Sequence, residues 1–305
     1  VAAPDVAAAP TRDGRLAGWI VAAVAAAAGL LALNRFLIGV FYDDGLYAGL
    51  ALALAAGEGY VHPHLPGMPA AIHYPPVYPA ALTVPFALLS RDAAAVAGRL
   101  LNLAWAAAAA GLIAWHAGRT RLVGDRAPRW LVGAVVGLSA TAVPVLATQS
   151  VLFAEPLFAL LLALAVIWAD RAADRASMGL AVAAGCAAAL TLLTRTIGIA
   201  AGVAVVAFLG WKYLRAAGAA SRNRTPAHIL GAALPIGLAA VAWFAWTLTH
   251  QDGIDSALGI NYGSYGEVLR QTGLGALGSS ALDLPRPLVA ITLGWLYPPA
   301  LAVAL

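Results

Sequence analysis

The sequence predicts an all-α polytopic membrane protein with roughly eight transmembrane helices, and three observations predict it. Hydrophobic residues make up 62% of the 305-residue chain, charged residues only 10%, and the mean hydropathy is +0.83; a soluble domain has about a quarter of its residues charged. Apolar stretches long enough to cross the hydrocarbon core, about 20 residues each, recur between short clusters of Arg, Pro and Gly. Arg and Lys gather in alternate loops, as the orientation rule for membrane proteins requires.

The expected spans are 16–40, 101–118, 130–148, 151–169, 179–194, 196–213, 229–250 and 288–305. Several are rich in Ala and other small residues, which let helix backbones approach closely in lipid. A barrel is excluded, because its strands would alternate and be far shorter. The whole chain, 1–305, reads as one transmembrane domain carrying two long loops, 41–100 and 251–287. The first residue is Val and the last helix ends without a polar flank, so the chain is expected to be part of something longer, truncated at its C-terminus. The first apolar segment is too long for the core of a cleavable signal peptide and runs on into Asn34 and Arg35.

Orientation follows from the basic residues. Arg12 and Arg15 precede the first span. Alternate loops then hold Arg119, Arg121, Arg126 and Arg129, next Arg171 and Arg175, next Lys212, Arg215, Arg222 and Arg224: twelve of the 18 basic residues. The other side takes nine of the 14 acids, including Asp43, Asp44, Glu58 and Glu155. The expected topology therefore has a cytoplasmic N-terminus, with the loops 41–100 and 251–287 outside; the Ala-rich usage suggests a bacterium, and so an inner membrane. The net charge of +4 comes from these flanking residues, so no nucleic-acid partner is expected. Cys186 is the lone cysteine and sits in an apolar span, where no intramolecular disulfide is possible.

The loop 41–100 departs from a simple helix-loop-helix rhythm. Asp43 and Asp44 are suited to capping a helix on which Leu46, Tyr47, Leu50, Ala51 and Leu54 recur at helical spacing, up to Gly57-Glu58-Gly59. Such a helix lies at the interface. Pro63, Pro66 and Gly67 forbid regular structure in the stretch that follows, and His73-Tyr74-Pro75-Pro76-Val77-Tyr78-Pro79 comes next. Residues 80–89 are apolar but too short to span, and are expected to form a re-entrant or interfacial helix. The second loop, with Asn261-Tyr262-Gly263-Ser264-Tyr265-Gly266, is either a mobile lid or a solvated connector.

Adjacent carboxylates at a membrane surface are costly to bury and seldom needed for packing, so Asp43 and Asp44 are candidate catalytic residues as well as candidate caps. The ordered set Asp43-Asp44-Gly45-Leu46-Tyr47, Gly57-Glu58-Gly59-Tyr60 and His73 to Pro79 resembles the membrane glycosyltransferases of the GT-C fold. The similar group is that of the protein O-mannosyltransferases, the lipid A aminoarabinose transferases and the bacterial family 39 enzymes. Arg99-Leu100-Leu101-Asn102, Ala154-Glu155-Pro156-Leu157-Phe158 and Leu193-Thr194-Arg195-Thr196-Ile197-Gly198 resemble further motifs of that group in the same order.

The resemblance implies an inverting transferase. Its donor would be a polyprenyl-phosphate-linked sugar, its acceptor a hydroxyl of an unknown glycan, lipid or protein at the outer face, with membrane lipid around it. Asp43 matches the family's catalytic member and would be general base, since an attacking hydroxyl must shed its proton. Asp44 would orient Asp43, bind acceptor or cap the helix. Arg195 either contacts the donor phosphate, whose oxygens match a guanidinium, or forms a salt bridge to Glu155 or snorkels to the headgroups. Arg99 has the same readings, and Glu155 either holds acceptor or balances an Arg. His73, Tyr74 and Tyr78 are candidate substrate contacts, although tyrosines at this depth also serve as interfacial anchors. No cofactor is called for. His62-Pro63-His64 with His73 is an unspecific metal pattern, because the intervening Pro and the absence of a helix-borne pair fit no defined geometry. The reading from another class is a transporter or flippase of a lipid-linked or small polar substrate.

Overall fold

In the computed structural model, which describes residues 12–33, 37–120, 128–215, 226–251 and 262–263, every regular element is a helix; the only extended pairing among them is an isolated antiparallel bridge, Val61 to Ala70. The helices are α1 (Arg12–Ala32), α2 (Asp43–Ala55), α3 (Val77–Leu88), α4 (Arg91–Thr120), α5 (Arg129–Ala140), α6 (Val143–Ser150), α7 (Glu155–Arg175), α8 (Met178–Thr194), α9 (Ile199–Arg215) and α10 (Pro226–Thr249). Five stretches are long and apolar enough to cross a membrane: Gly14–Ala32, Arg91–Thr120, Glu155–Arg175, Thr196–Arg215 and Pro226–Thr249. A sixth crossing results if the bent pair α5–α6 is one span. Leu16, Trp19 and Leu31 of α1 and Leu230, Leu234 and Leu238 of α10 are exposed, an apolar exterior suited to lipid and not to water.

The expected spans change at several points. The first span stops at Ala32, not at residue 40, and residues 38–42 form turns. The helix expected over 101–118 begins at Arg91, so Arg99 and Asn102 lie well inside it. The span expected over 130–148 is broken, with a 55° bend between α5 and α6. Pro144 in the first turn of α6 has no N–H to offer the Ala140 carbonyl, and its ring collides with it, so α5 cannot run on. Thr194 ends α8, which at 17 residues falls short of a full crossing. The span expected over 288–305 lies outside the described residues.

Packing divides the molecule. α1 lies along α4, with Gly18 and Gly111 face to face: a Cβ on either would come within 2.9 Å of the other's carbonyl oxygen. α8 sits between α7 and α10 on an alanine-lined seam of Ala165, Ala169, Ala184, Ala188 and Ala232. α2 and α3 pack together at one end of the bundle, where Tyr47, Leu50, Tyr78 and Leu82 join Leu152 and Leu157 in a core of larger side chains.

Candidate active site

The site is built where the chain leaves α1 and re-enters as α2. The carboxylates of Asp43 and Asp44 part at this point. Asp44 is 2% exposed, and its two oxygens accept the backbone N–H groups of Gly39 (3.0 Å) and Phe41 (3.1 Å). Asp44 thus ties down the turn upstream of it; neither Asp caps α2, whose N-cap is Tyr42. Tyr42, at φ 64° and ψ −67°, is the centre of a γ-turn that the Asp43 N–H closes on the Phe41 carbonyl at 2.8 Å, a conformation that is rare and strained and persists because the surroundings impose it. The Asp44 carboxylate, which follows Tyr42, holds the N–H groups of Gly39 and Phe41 before it and so spans the turn.

Asp43 faces the opposite way. Tyr74 donates its hydroxyl to Asp43 Oδ1 at 2.8 Å. Tyr74 is itself held by Tyr60, which donates to its carbonyl at 2.6 Å, and by the ring of Tyr47, edge-on at 5.3 Å. Burial, and then the hydrogen bond to Asp43, push the Tyr74 hydroxyl far above its ordinary pKa, so it remains a donor at any physiological pH. Beside it, His73 Nδ1 donates to the Gly263 carbonyl at 2.9 Å, which fixes the tautomer of the neutral ring. Burial pulls its pKa down, opposed by that bond and by the charge of Asp43. Burial also pushes Tyr42 up to about 12.

Arg195 arrives from the far side of the bundle. It is the extended residue between α8 and a 3-10 turn, Thr196–Gly198. Gly198 lets that turn close against α8, since a Cβ there would lie 2.3 Å from the carbonyl carbon of Thr191. The guanidinium pairs with Glu155, the first residue of α7; both side chains are partly exposed. Tyr42, Asp43, Tyr47, His73, Tyr74, Pro75, Arg195, Thr196 and Ile197 together line an open cleft of about 680 Å³, within the range of small-molecule sites.

The structure therefore brings Asp43, His73, Tyr74 and Arg195 to one cleft, and places the other four candidates elsewhere. Asp44 is beneath it. Tyr78 is fully buried and donates to Asn102 Oδ1 at 3.1 Å, so it is a core residue and not a sugar contact. Asn102 Nδ2 in turn donates to the carbonyls of Val151 (2.7 Å) and Phe153 (3.0 Å), which pins the link between α6 and α7. Arg99 is buried at 6% exposure about two turns inside α4, and is not among the cleft residues. Glu155 stands behind Arg195, so of its two readings the geometry displays the balancing of an Arg.

Among the described residues no group of three or more His, Cys, Asp or Glu is placed to hold a metal. His62 is fully buried against the rings of His64 and Tyr262, and burial first, then the neighbouring imidazoles, pull its pKa down to about 4. Tyr262 also shares a hydrogen bond with His64 Nε2 at 3.1 Å. Of the loop 251–287 only Gln251, Tyr262 and Gly263 are described, so the choice between lid and connector lies outside the described residues. Two contributors carried no signal in the sequence: Tyr42 in the cleft wall, and Trp246 of α10, whose Nε1 donates to the Ala71 carbonyl at 3.0 Å; Tyr47 stands out there only as part of a helix and a motif, not as cleft wall. Comparison with protein-family models, with curated proteins and with solved structures finds no match to this chain.

Proposed function

We propose that the chain is an inverting glycosyltransferase that moves a sugar from a polyprenyl-phosphate donor to an acceptor hydroxyl at the outer membrane face, in a multi-pass GT-C-type fold with a cytoplasmic N-terminus. The observation that carries this reading is the meeting of one carboxylate, Asp43, and one guanidinium, Arg195, on a single open cleft at the end of an apolar bundle. Asp43 Oδ1 is occupied by Tyr74, which orients the carboxylate toward an incoming hydroxyl. The acceptor oxygen attacks the anomeric carbon as Asp43 takes its proton. The bond from that carbon to the phosphate oxygen breaks with its electron pair, and the phosphate leaves as an anion. A single displacement inverts the anomeric centre. Arg195 stabilises the leaving charge, and its five donors allow it to hold Glu155 and a phosphate together. His73 and the Tyr42 and Tyr47 rings would then contact sugar.

The bend between α5 and α6 favours a second reading, since broken helices are frequent in transporters and flippases. Incubating the purified chain with a panel of radiolabelled polyprenyl-phosphate sugars separates the two. Release of polyprenyl phosphate with sugar on an acceptor is the expected result. Movement of intact donor across a vesicle bilayer without cleavage would favour the flippase, and inertness toward every donor would remove the transferase reading.

A further inference from the structure

The end of the bundle opposite the cleft gathers positive charge. Gly18 of α1 meets Gly111 and Trp115 of α4 while Gly29 meets Leu103, so the two helices run antiparallel and α1 begins where α4 ends. α7 ends there too, with Asp174 against Arg119. Arg15 at the start of α1, Arg119 at the end of α4, and Arg171 and Arg175 at the end of α7 therefore come together, and the other three are near enough to Arg171 to repel its charge. Two carboxylates stand among them. Asp174 pairs with Arg119 at 3.3 Å, and Asp170 lies 3.9 Å from His116. Among the described residues no carboxylate is within ion-pair distance of Arg15, Arg171 or Arg175, so four guanidinia are matched by two acids.

Arg171 is held in place. Its guanidinium lies 4.8 Å over the Trp115 ring of α4, and its Nε is enclosed without a hydrogen-bond partner. Trp115 is in turn packed on α1, where a Cβ on Gly18 would come within 3.0 Å of the Trp115 Cβ. An arginine that only relieved its own burial would extend away along its stem; this one is laid across a neighbouring helix beside three like charges, an arrangement that an anion stabilises. Converging guanidinia match the oxygens of a phosphate. Arg15, Arg119 and Arg175 fall in the terminal turns of stretches long and apolar enough to cross a membrane, where hydrocarbon gives way to headgroups. Leu16, Trp19 and Ile20, which follow Arg15 on α1, are exposed and offer hydrocarbon chains a surface beside the cluster.

We propose that Arg15, Arg119, Arg171 and Arg175 bind the phosphate of an anionic phospholipid. The proposal does not depend on the transferase reading, whose cleft lies at the other end of the bundle. Native mass spectrometry of the detergent-purified full chain, titrated with phosphatidylglycerol and with phosphatidylcholine of the same acyl chains, tests it. Wild type should hold phosphatidylglycerol at least about tenfold more tightly. Arg171→Gln and Arg15→Gln should each cut that preference about fivefold, the equivalent of about 1 kcal/mol per arginine. Arg15 is exposed, so its variant reads the site even where Arg171→Gln disturbs the packing on Trp115. Arg91→Gln, which removes the same charge from the opposite end of α4, should leave the preference unchanged. Equal retention of the two lipids by wild type, an equal loss of preference in Arg91→Gln, or displacement of the lipid by inorganic phosphate but not by chloride at matched ionic strength would each overturn it.

Discussion

The α7–α10 bundle and the α2–α3 end of the molecule are held together by different means. In the bundle, α8 meets α7 and α10 through alanine methyls and glycine backbones. At the α2–α3 end, large rings and hydrogen bonds between residues far apart in sequence fix the structure: Tyr60 to Tyr74, Tyr74 to Asp43, His73 to Gly263, Tyr78 to Asn102. The first region needs small volume and tolerates little else; the second needs particular atoms. Damage in the bundle should therefore cost folding, whereas in the α2–α3 region the cleft side chains should cost chemistry and the buried ones stability.

The largest separation is expected at Arg195. Arg195→Leu removes the only cationic side chain among the described residues lining the cleft, and transfer should fall by about 10² to 10³-fold with the fold intact, measured by donor turnover and circular dichroism. Gly185→Val should do the reverse. A Cβ there would lie 2.2 Å from the Ala232 carbonyl oxygen, so α8 and α10 must part, at about 3 kcal/mol, seen as a lower Tm in detergent with activity per folded molecule retained.

A smaller effect tests the polar region through pH. His62 titrates at about 4 in the folded chain and at 6.5 when exposed, so the unfolded state binds a proton that the folded state refuses. Stability contributed by this group is complete above about pH 6.5 and is lost as pH falls toward 4, by about 3 kcal/mol. The Tm of His62→Phe should be flatter than wild type over that window. The smallest effect is at Tyr78→Phe, which leaves Asn102 Oδ1 without its donor and should cost about 1 kcal/mol in Tm without altering turnover; a large loss of activity would return Tyr78 to the substrate contacts.

Much of the helical frame was legible in the residues. Hydropathy locates α1, α4, α7, α9 and α10, because a bilayer-spanning helix must be apolar over its whole length. It misplaces their ends, since Arg91 to Leu100 continues α4 as an Ala- and Gly-bearing segment whose buried face packs on Leu82 and Leu152 rather than as an apolar stretch, and it runs across the α5–α6 break that Pro144 enforces. The site was half legible. Asp43, His73, Tyr74 and Arg195 stand out as polar groups on an apolar background. The difference between Asp43 and Asp44 does not, because neighbours in sequence with the same chemistry are separated only by which way each points: one to a cleft, one to the N–H groups of Gly39 and Phe41. Asn102, in sequence only the last residue of a motif, likewise acquires its meaning from the Val151 and Phe153 carbonyls that surround it.

The most direct test compares wild type and Asp43→Asn, reconstituted in lipid with a polyprenyl-phosphate sugar and an acceptor, for rate and for anomeric configuration of the product. Asn keeps the shape and the bond from Tyr74 but cannot take the proton. Inverted product from wild type, with at least about a 10²-fold lower rate in the variant at unchanged expression and Tm, is the expected result. Equal rates in the two proteins would contradict the assignment of Asp43 as general base, and with it the account of the cleft.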